Sequence, residues 1–474
     1  MNTKTSARRA SIMVKKIALG VVLALVAATA YLYLSYGSIT RAGSGYSAKN
    51  ICSGYFLSGF SPEIVREQAL KGASSTLANV TYKLDLEQQS VTTKLIGLFE
   101  RRAIFTPGIG CTLLSVGEKE AEFSVSALPE LDVSESVAWP KGQASPDVSA
   151  DVANMLGGLF TEDSVDQPRY TKAVVVVHKG RLVAERYAEG VTPETPLLGW
   201  SMTKSVTALL VGILVKDKVL DIGAPAAVPQ WGETENDPRA AITLDQLLRM
   251  SSGLEFEETY SAATDVTRML SLEPDTGGYA AAKPLIAAPD TIWSYSSGTT
   301  NIVSGIVRRS VGDTLQSAYT FSQERLFRPL SIRTATMEAD RSGTFIGSSY
   351  MYASARDWAR LGQLCLQRGE WNGEQILPDG WVDYLVTPTP NAPGHEYGAQ
   401  FWLNANPADP SRERLIPNLP EDSYYMGGYQ GQLVLVIPSE EIVITRFGFT
   451  PARNHGVSEF AAELIDHLNR VEDN

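Results

Sequence analysis

GWSMTKSVTALLVGILV, residues Gly199–Val215, sets a serine and a lysine three positions apart at the head of an apolar run. Little that is polar follows Lys204, which predicts a buried helix over Met202–Val215 rather than an amphipathic surface one. Positions i and i+3 share a helix face one turn apart, so Ser201 and Lys204 lie within reach of direct proton transfer. A serine at a helix N-terminus also has its backbone N–H, and the positive end of the helix dipole, beside any charge that develops on a substrate oxygen. Burial against apolar neighbours lowers a lysine pKa and raises the neutral fraction able to act as a base. The bland alternative is a capping serine with a first-turn lysine. As a bare pattern S-x-x-K arises by chance about once in a chain this long.

Other routes to an activated nucleophile have less behind them. The four histidines, His178, His395, His455 and His467, are scattered and form no H-x-H or H-E-x-x-H pair, and there is no G-x-S-x-G elbow. A histidine-activated serine and a metal site are therefore not expected, and no cofactor is implied.

Two later stretches fit the lysine route. In IWSYSSGTTNIVSGIVRR, Tyr295-Ser296-Ser297 precedes another apolar helix. A tyrosine there can relay a proton between Ser201, Lys204 and a leaving group, and a phenol beside an ammonium is expected to ionise more easily. In YYMGGYQGQLVLV, glycines enter a strand, where they let backbone approach a ligand and offer an N–H to an oxyanion hole. Singly, Tyr295 reads as a core or turn tyrosine and Gly427-Gly428 as a bulge. The ordered set is much harder to reach by accident.

Composition bounds the rest. With 474 residues, 44% of them hydrophobic, the chain can bury a large core. Net charge is −12, but the first 16 residues hold five basic side chains and no acid, which leaves 36 basic against 53 acidic, or −17, for the remainder. An acidic body has no electrostatic footprint for nucleic acid. Residues 1–16 read as a cytoplasmic basic leader and 17–37, containing IALGVVLALVAATAYLYLSY, as a transmembrane signal-anchor. A cleaved signal ending near the AATA of Ala27–Ala30 is the alternative, and either exports the chain. The expected location is membrane-anchored with the catalytic part extracytoplasmic, periplasmic or at the cell surface, or secreted if the leader is cleaved. In an oxidising compartment Cys52 and Cys111 can form a disulfide, with two separately buried thiols as the alternative; Cys365, in a helical pattern, reads as a buried core thiol.

After the anchor, Gly37–Gly45 reads as a linker, and 38–147 as an accessory region with a helix-like SPEIVREQALKGA, strand-like pieces such as GCTLLSV, and a Pro/Ser/Glu-rich connector over Pro129–Asp147. Residues 148–474 read as one large α/β domain. YTKAVVVVHKGRLVAERYAEG predicts a hairpin turning at Lys179-Gly180, GQLVLVIPSEEIVITRFGF a second, and VSEFAAELIDHLNR a closing helix. Early strands, a helical middle, late strands and a final helix predict one sheet completed by both ends of the domain.

SMTK, YSS and MGGY, in this order and at these separations, resemble the three active-site motifs of the serine β-lactamase and penicillin-binding-protein superfamily. The connecting stretches LDQLLRMSSGLEFEETY, RLFRPLSIRTATMEAD, YMYASARDWARLGQL and YGAQFWLN resemble its class C-like branch, the 6-aminohexanoate-dimer hydrolases and related esterases, over roughly Ala150–Asn469. The resemblance implies a serine β-lactamase-like α/β (α+β) fold, with a mixed or antiparallel sheet flanked by helices and a mainly helical subdomain. It implies Ser201 as nucleophile, Lys204 as general base, Tyr295 as proton relay, and the N–H groups of Ser201 and Tyr429 as the oxyanion hole, with a register shifted toward Gln432 as the alternative. Ser297 matches a position that is asparagine in β-lactamases, Gly428 the glycine of the substrate-binding strand, and Tyr260 a tyrosine on the active-site flap. Met426 replaces the lysine of the lactamase motif. The acidic flap residue that holds a substrate amine in some members has no matched counterpart, and Asp265 is a candidate.

The expected activity is hydrolysis of a small-molecule ester or amide through an acyl-enzyme. A β-lactamase or D-Ala peptidase is an alternative that the missing motif lysine argues against. A non-catalytic surface binding protein on the same scaffold is the other, which retention of Ser201, Lys204 and Tyr295 argues against. Sequence leaves the oligomeric state open.

Overall fold

The computed structural model describes residues 3–118, 124–145, 148–162, 168–260, 263–407, 409, 411–451 and 455–472, with the side chains at 3–12, 14, 24–35 and 472 outside that description. Helix α1, Thr3–Phe56, runs straight through Gly37, Gly43 and Gly45, where sequence predicts a linker. Gly43 and Gly45 permit close packing instead of flexibility. A Cβ would come within 2.6 Å of Leu95 at Gly43 and of the Ser271 carbonyl at Gly45. Tertiary contact thus overrides the cost of about 1 kcal/mol that each glycine imposes on a helix. Among the described residues no helix is long and apolar enough to cross a membrane. The expected span 17–37 includes the side chains at 24–35.

The segment expected to be helical after α1 forms short consecutive turns, Pro62–Ile64, Val65–Leu70 and Lys71–Ala73, started by a Ser61 cap. Four strands follow, β1 (Val80–Asp85), β2 (Ser90–Leu95), β3 (Leu98–Thr106) and β4 (Gly110–Leu113), paired in sequence order as an antiparallel sheet against which α1 packs. A disulfide joins Cys52 of α1 to Cys111 of β4, with the Cα atoms 6.1 Å apart. Beside it the buried Lys49 ammonium lies 2.7 Å from Glu338, whose carboxylate also accepts from Ser53 Oγ at 2.7 Å and Cys111 N at 2.6 Å. Ile51, Leu70, Val91 and Ala103 join the same apolar cluster as Val206 and Leu209 of the helix after Ser201, so the accessory region and the remainder share one core.

The described part of the Pro129–Asp147 connector is clamped by buried arginines: Arg360 donates to the Pro140 and Gly142 carbonyls and Arg356 to that of Gln143. Strands β5 (Thr171–His178) and β6 (Arg181–Tyr187) form the first expected hairpin, with Lys179 and Gly180 both at positive φ in the turn. The helical middle includes α2 (Met202–Lys216), α3 (Asp265–Ser271), α4 (Ser297–Ser310) and α5 (Ala355–Leu366). Then come β7 (Trp402–Leu403), β8 (Tyr424–Gly428), β9 (Gln432–Ile437), β10 (Ile442–Gly448) and the closing helix α6 (Val457–Glu472).

The main sheet has the order β7-β8-β9-β10-β5-β6 with every pair antiparallel, so both ends of the domain build it as expected. Val175 and Val177 face the large cluster with α2 and α5, whereas Val174 and Val176 face a second cluster with Phe460 and Leu464 of α6. Burial on both faces explains why β5 reads as an unbroken run of valines rather than an alternation.

Candidate active site

Ser201 is the N-cap residue of α2, and its side chain caps no backbone N–H, so the hydroxyl remains available. The approach to it is constrained. Gly199 lies so close to Trp358 that a Cβ would meet the indole at 2.3 Å. Trp200 is held at φ +49°, a conformation unusual for a bulky residue, by ring contacts with Tyr46 at 5.9 Å, Tyr350 at 5.4 Å and Tyr429 at 5.8 Å.

Lys204, one turn into α2, is 1% exposed. Its Nζ lies 3.2 Å from Ser201 Oγ, 2.9 Å from Ser297 Oγ and 3.0 Å from the Ser348 carbonyl. Burial lowers its pKa to about 8, with the negative charge of Glu258 acting in the opposite direction. As an ammonium it donates to all three neighbours. As an amine it retains two donors, for Ser297 and Ser348, and turns its lone pair to the Ser201 hydroxyl. The structure therefore brings Ser201 and Lys204 within hydrogen-bonding distance.

Tyr295 stands over the lysine, its ring centroid 4.9 Å from Nζ, and packs against Trp402 at 5.4 Å and Tyr397 at 5.6 Å. Burial and then the Glu258 charge push its phenol well above the usual range, while interaction with Ser201 works the other way. The expectation that the neighbouring ammonium makes this phenol easy to ionise is corrected: desolvation dominates, and the phenol stays protonated at neutral pH.

Ser297, fully buried at the first position of α4, links Lys204 to a residue that sequence reasoning missed. Its Oγ donates to Glu258 Oε1 at 2.5 Å and its backbone N–H to Glu258 Oε2 at 2.7 Å, while Tyr260 Oη donates to the same carboxylate at 3.1 Å. Glu258 thus reaches Lys204 through one hydroxyl. The available signal was its place two residues before Tyr260 in FEETY, where nothing local singles out one of the two acids, Glu257 and Glu258. Asp265, the expected acidic candidate, is occupied elsewhere. It pairs with Lys283 and accepts from Tyr279 Oη at 2.7 Å and Glu257 N at 3.0 Å.

The other wall is the turn after β8. Gly428 packs so tightly on the loop before Ser201 that a Cβ would sit 2.2 Å from the Gly199 carbonyl oxygen. That approach carries the backbone of Tyr429 to the neighbourhood of Ser201. Buried Arg446 braces the turn through the Gln430 and Gly431 carbonyls, and Gln430 Nε2 donates to the Ala69 carbonyl of the accessory region at 2.8 Å. The Gln432 side chain is spent on the strand, exchanging hydrogen bonds with Gly448 N and O. Met426 is fully buried and presents nothing to the site, and Cys365 is a buried free thiol.

The sequence profile described as beta-lactamase matches residues 158–454. The 6-aminohexanoate-dimer hydrolase of Paenarthrobacter ureafaciens is 24% identical over 263 residues, covering 50% of this chain and 65% of that relative, so the chain spans just under two thirds of its length. A solved structure of a candidate 6-aminohexanoate-dimer hydrolase from Bacillus anthracis has a TM-score of 0.52 at 25% identity, over 64% of this chain and 80% of that one. EstCE1, described as a hydrolase with promiscuous acyltransferase activity, is alike in fold, with a TM-score of 0.51 at 14% identity over 66% of this chain and 98% of its own. With the family profile spanning more than half of its length, the chain belongs to the beta-lactamase family.

Proposed function

We propose that the protein is a serine hydrolase that cleaves an ester or amide through an acyl-enzyme at Ser201. The observation that carries this reading is a buried lysine 3.2 Å from an uncapped serine hydroxyl, with its pKa lowered to about 8. Ser201 Oγ attacks the substrate carbonyl as its proton passes to the Lys204 amine. The carbonyl electrons move onto oxygen, and the N–H groups of Ser201 and Tyr429 receive that charge. When the tetrahedral species collapses, the bond to the leaving group breaks, and the proton returns through the neutral Tyr295 phenol to the departing oxygen or nitrogen. Water then repeats the sequence on the acyl-serine, freeing a carboxylic acid and restoring Ser201.

Hydrolases among the relatives support the reaction class. Met426, buried where the lactamase motif has its lysine, leaves that position without a cation for a β-lactam carboxylate. Penicillins and cephalosporins are accordingly turned over poorly beside simple esters. The test is labelling with a fluorophosphonate followed by a screen of esters and linear amides. Ser201→Ala abolishes both labelling and turnover while the fold is retained; undiminished turnover in that variant refutes the assignment.

The protein works outside the cytoplasm, held by residues 17–37. The Cys52–Cys111 disulfide supports an oxidising compartment. Ile17, Leu19, Val21, Val22 and Leu23, all exposed on α1, support apolar surroundings for that stretch. Fractionation of cells tests both: activity in the membrane fraction and accessible to external protease is expected, and activity confined to the cytosol contradicts it.

A further inference from the structure

A cavity of about 240 Å³ lies against the site, beside Trp200, the residue before Ser201. Distant parts of the chain enclose it: Ala42 and Tyr46 come from α1, Leu77 from the segment before β1, Leu270 from α3, and Tyr260 and Tyr429 from the site itself. Among the described residues no charged side chain lines it, although the protein is strongly acidic overall. An uncharged, mainly apolar cavity excludes an ionic group and suits an aliphatic one.

The two tyrosines form a partition between this cavity and the catalytic groups. Their rings stack at 5.9 Å and 9°, and the Tyr260 hydroxyl reaches Glu258 on the catalytic side. Tyr260 is 45% exposed, so its ring has solvent to swing into when a chain from Ser201 enters, at the cost of the stacking contact and the Glu258 hydrogen bond. Tyr295, which serves the leaving group, packs on Trp402 and Tyr397, neither of which lines the cavity. Trp200 directly precedes Ser201 and Tyr429 carries the proposed oxyanion N–H, so the cavity lies beside the place the acyl carbon takes on Ser201.

We infer that this cavity is an acyl-chain pocket, that the substrate is an ester or amide of an uncharged aliphatic acid of roughly six to eight carbons, and that the accessory region is the specificity element. The size follows from volume, since an apolar cavity of about 150 Å³ holds a benzene ring. The glycines of α1 are part of the design, because Gly43 and Gly45 let the helix close over the pocket against Leu95 and Ser271. The inference rests on Ser201 as nucleophile, and its test separates the two.

Full-length protein and two plugged variants, Thr76→Trp and Ala73→Trp, are assayed on p-nitrophenyl acetate, butyrate, hexanoate, octanoate and dodecanoate. The same samples are treated with a small ethyl fluorophosphonate, which needs Ser201 but not the cavity. In the wild type, kcat/KM rises about fourfold per buried methylene, peaks at hexanoate or octanoate, and falls at dodecanoate; plugging shifts the peak to butyrate or shorter. A series that is flat or falls from acetate, with Ser201 labelled normally, overturns the pocket and leaves the nucleophile standing. An unchanged optimum in both plugged variants does the same. If a variant fails to fold, the wild-type series alone decides. Failure of Ser201 to label overturns the nucleophile and the pocket together.

Discussion

A lysine whose pKa is near 8 exists as the amine for roughly one part in ten at pH 7, against less than one in a thousand for an ordinary lysine. That difference is what the proposed role of Lys204 as base for Ser201 requires. Lys204→Arg removes the amine at any working pH and is expected to lower acylation by at least about 10²-fold; near-wild-type ester hydrolysis by this variant contradicts the assignment. Glu258 sharpens the prediction. Its charge raises the Lys204 pKa against the larger effect of burial, so Glu258→Gln lowers that pKa further. The amine then survives at lower pH, and the acid limb of kcat/KM moves to lower pH in the variant. An acid limb unmoved, or moved upward, rules out electrostatic coupling between the two. The serine and lysine were legible because they share one short motif. Glu258 was not, because its role depends on a flap folding back onto Ser297, a contact 39 positions apart that no local pattern encodes.

Among the elements, the turn after β8 is the one whose geometry the chemistry needs most closely. At Gly428 an added methyl group would meet backbone, the Gly199 oxygen, which cannot swing aside as a side chain can. Gly428→Ala is therefore expected to lower kcat by about 10²-fold or more, as loss of an oxyanion donor does, with a smaller change in KM. The steady-state split between kcat and KM checks this. Helix α1 teaches the opposite lesson about glycine. Its Gly37, Gly43 and Gly45 read as a linker because propensity was the only term visible, yet at Gly43 and Gly45 the absent Cβ atoms are what allow contact. The hairpins and α6 were legible for the complementary reason that their turns and apolar periods are local.

For the whole molecule, the main sheet built from both ends of the domain was legible, because the strands and the helix that follow them are patterned in sequence. The accessory region's union with that core was not, since the apolar residues that join it lie scattered through weakly patterned text. Closing a loop of 59 residues stabilises the fold by about 4 kcal/mol in the chain-entropy model. Reduction, or Cys52→Ala with Cys111→Ala, is expected to lower the urea midpoint accordingly. Because α1 and the turns after it wall the acyl cavity, the same change is expected to weaken selectivity for longer acyl chains before it abolishes turnover. Equal loss on acetate and octanoate esters would separate the accessory region from specificity.

The central claim is the Ser201–Lys204 pair, and its most direct test is the rate of fluorophosphonate labelling as a function of pH, with the adduct located by peptide mass spectrometry. The account predicts a single adduct on Ser201 whose rate rises with pH through a half-maximum near 8, the value set by buried Lys204. An adduct on another serine, or a Ser201 rate that does not change between pH 6 and 9, would contradict it.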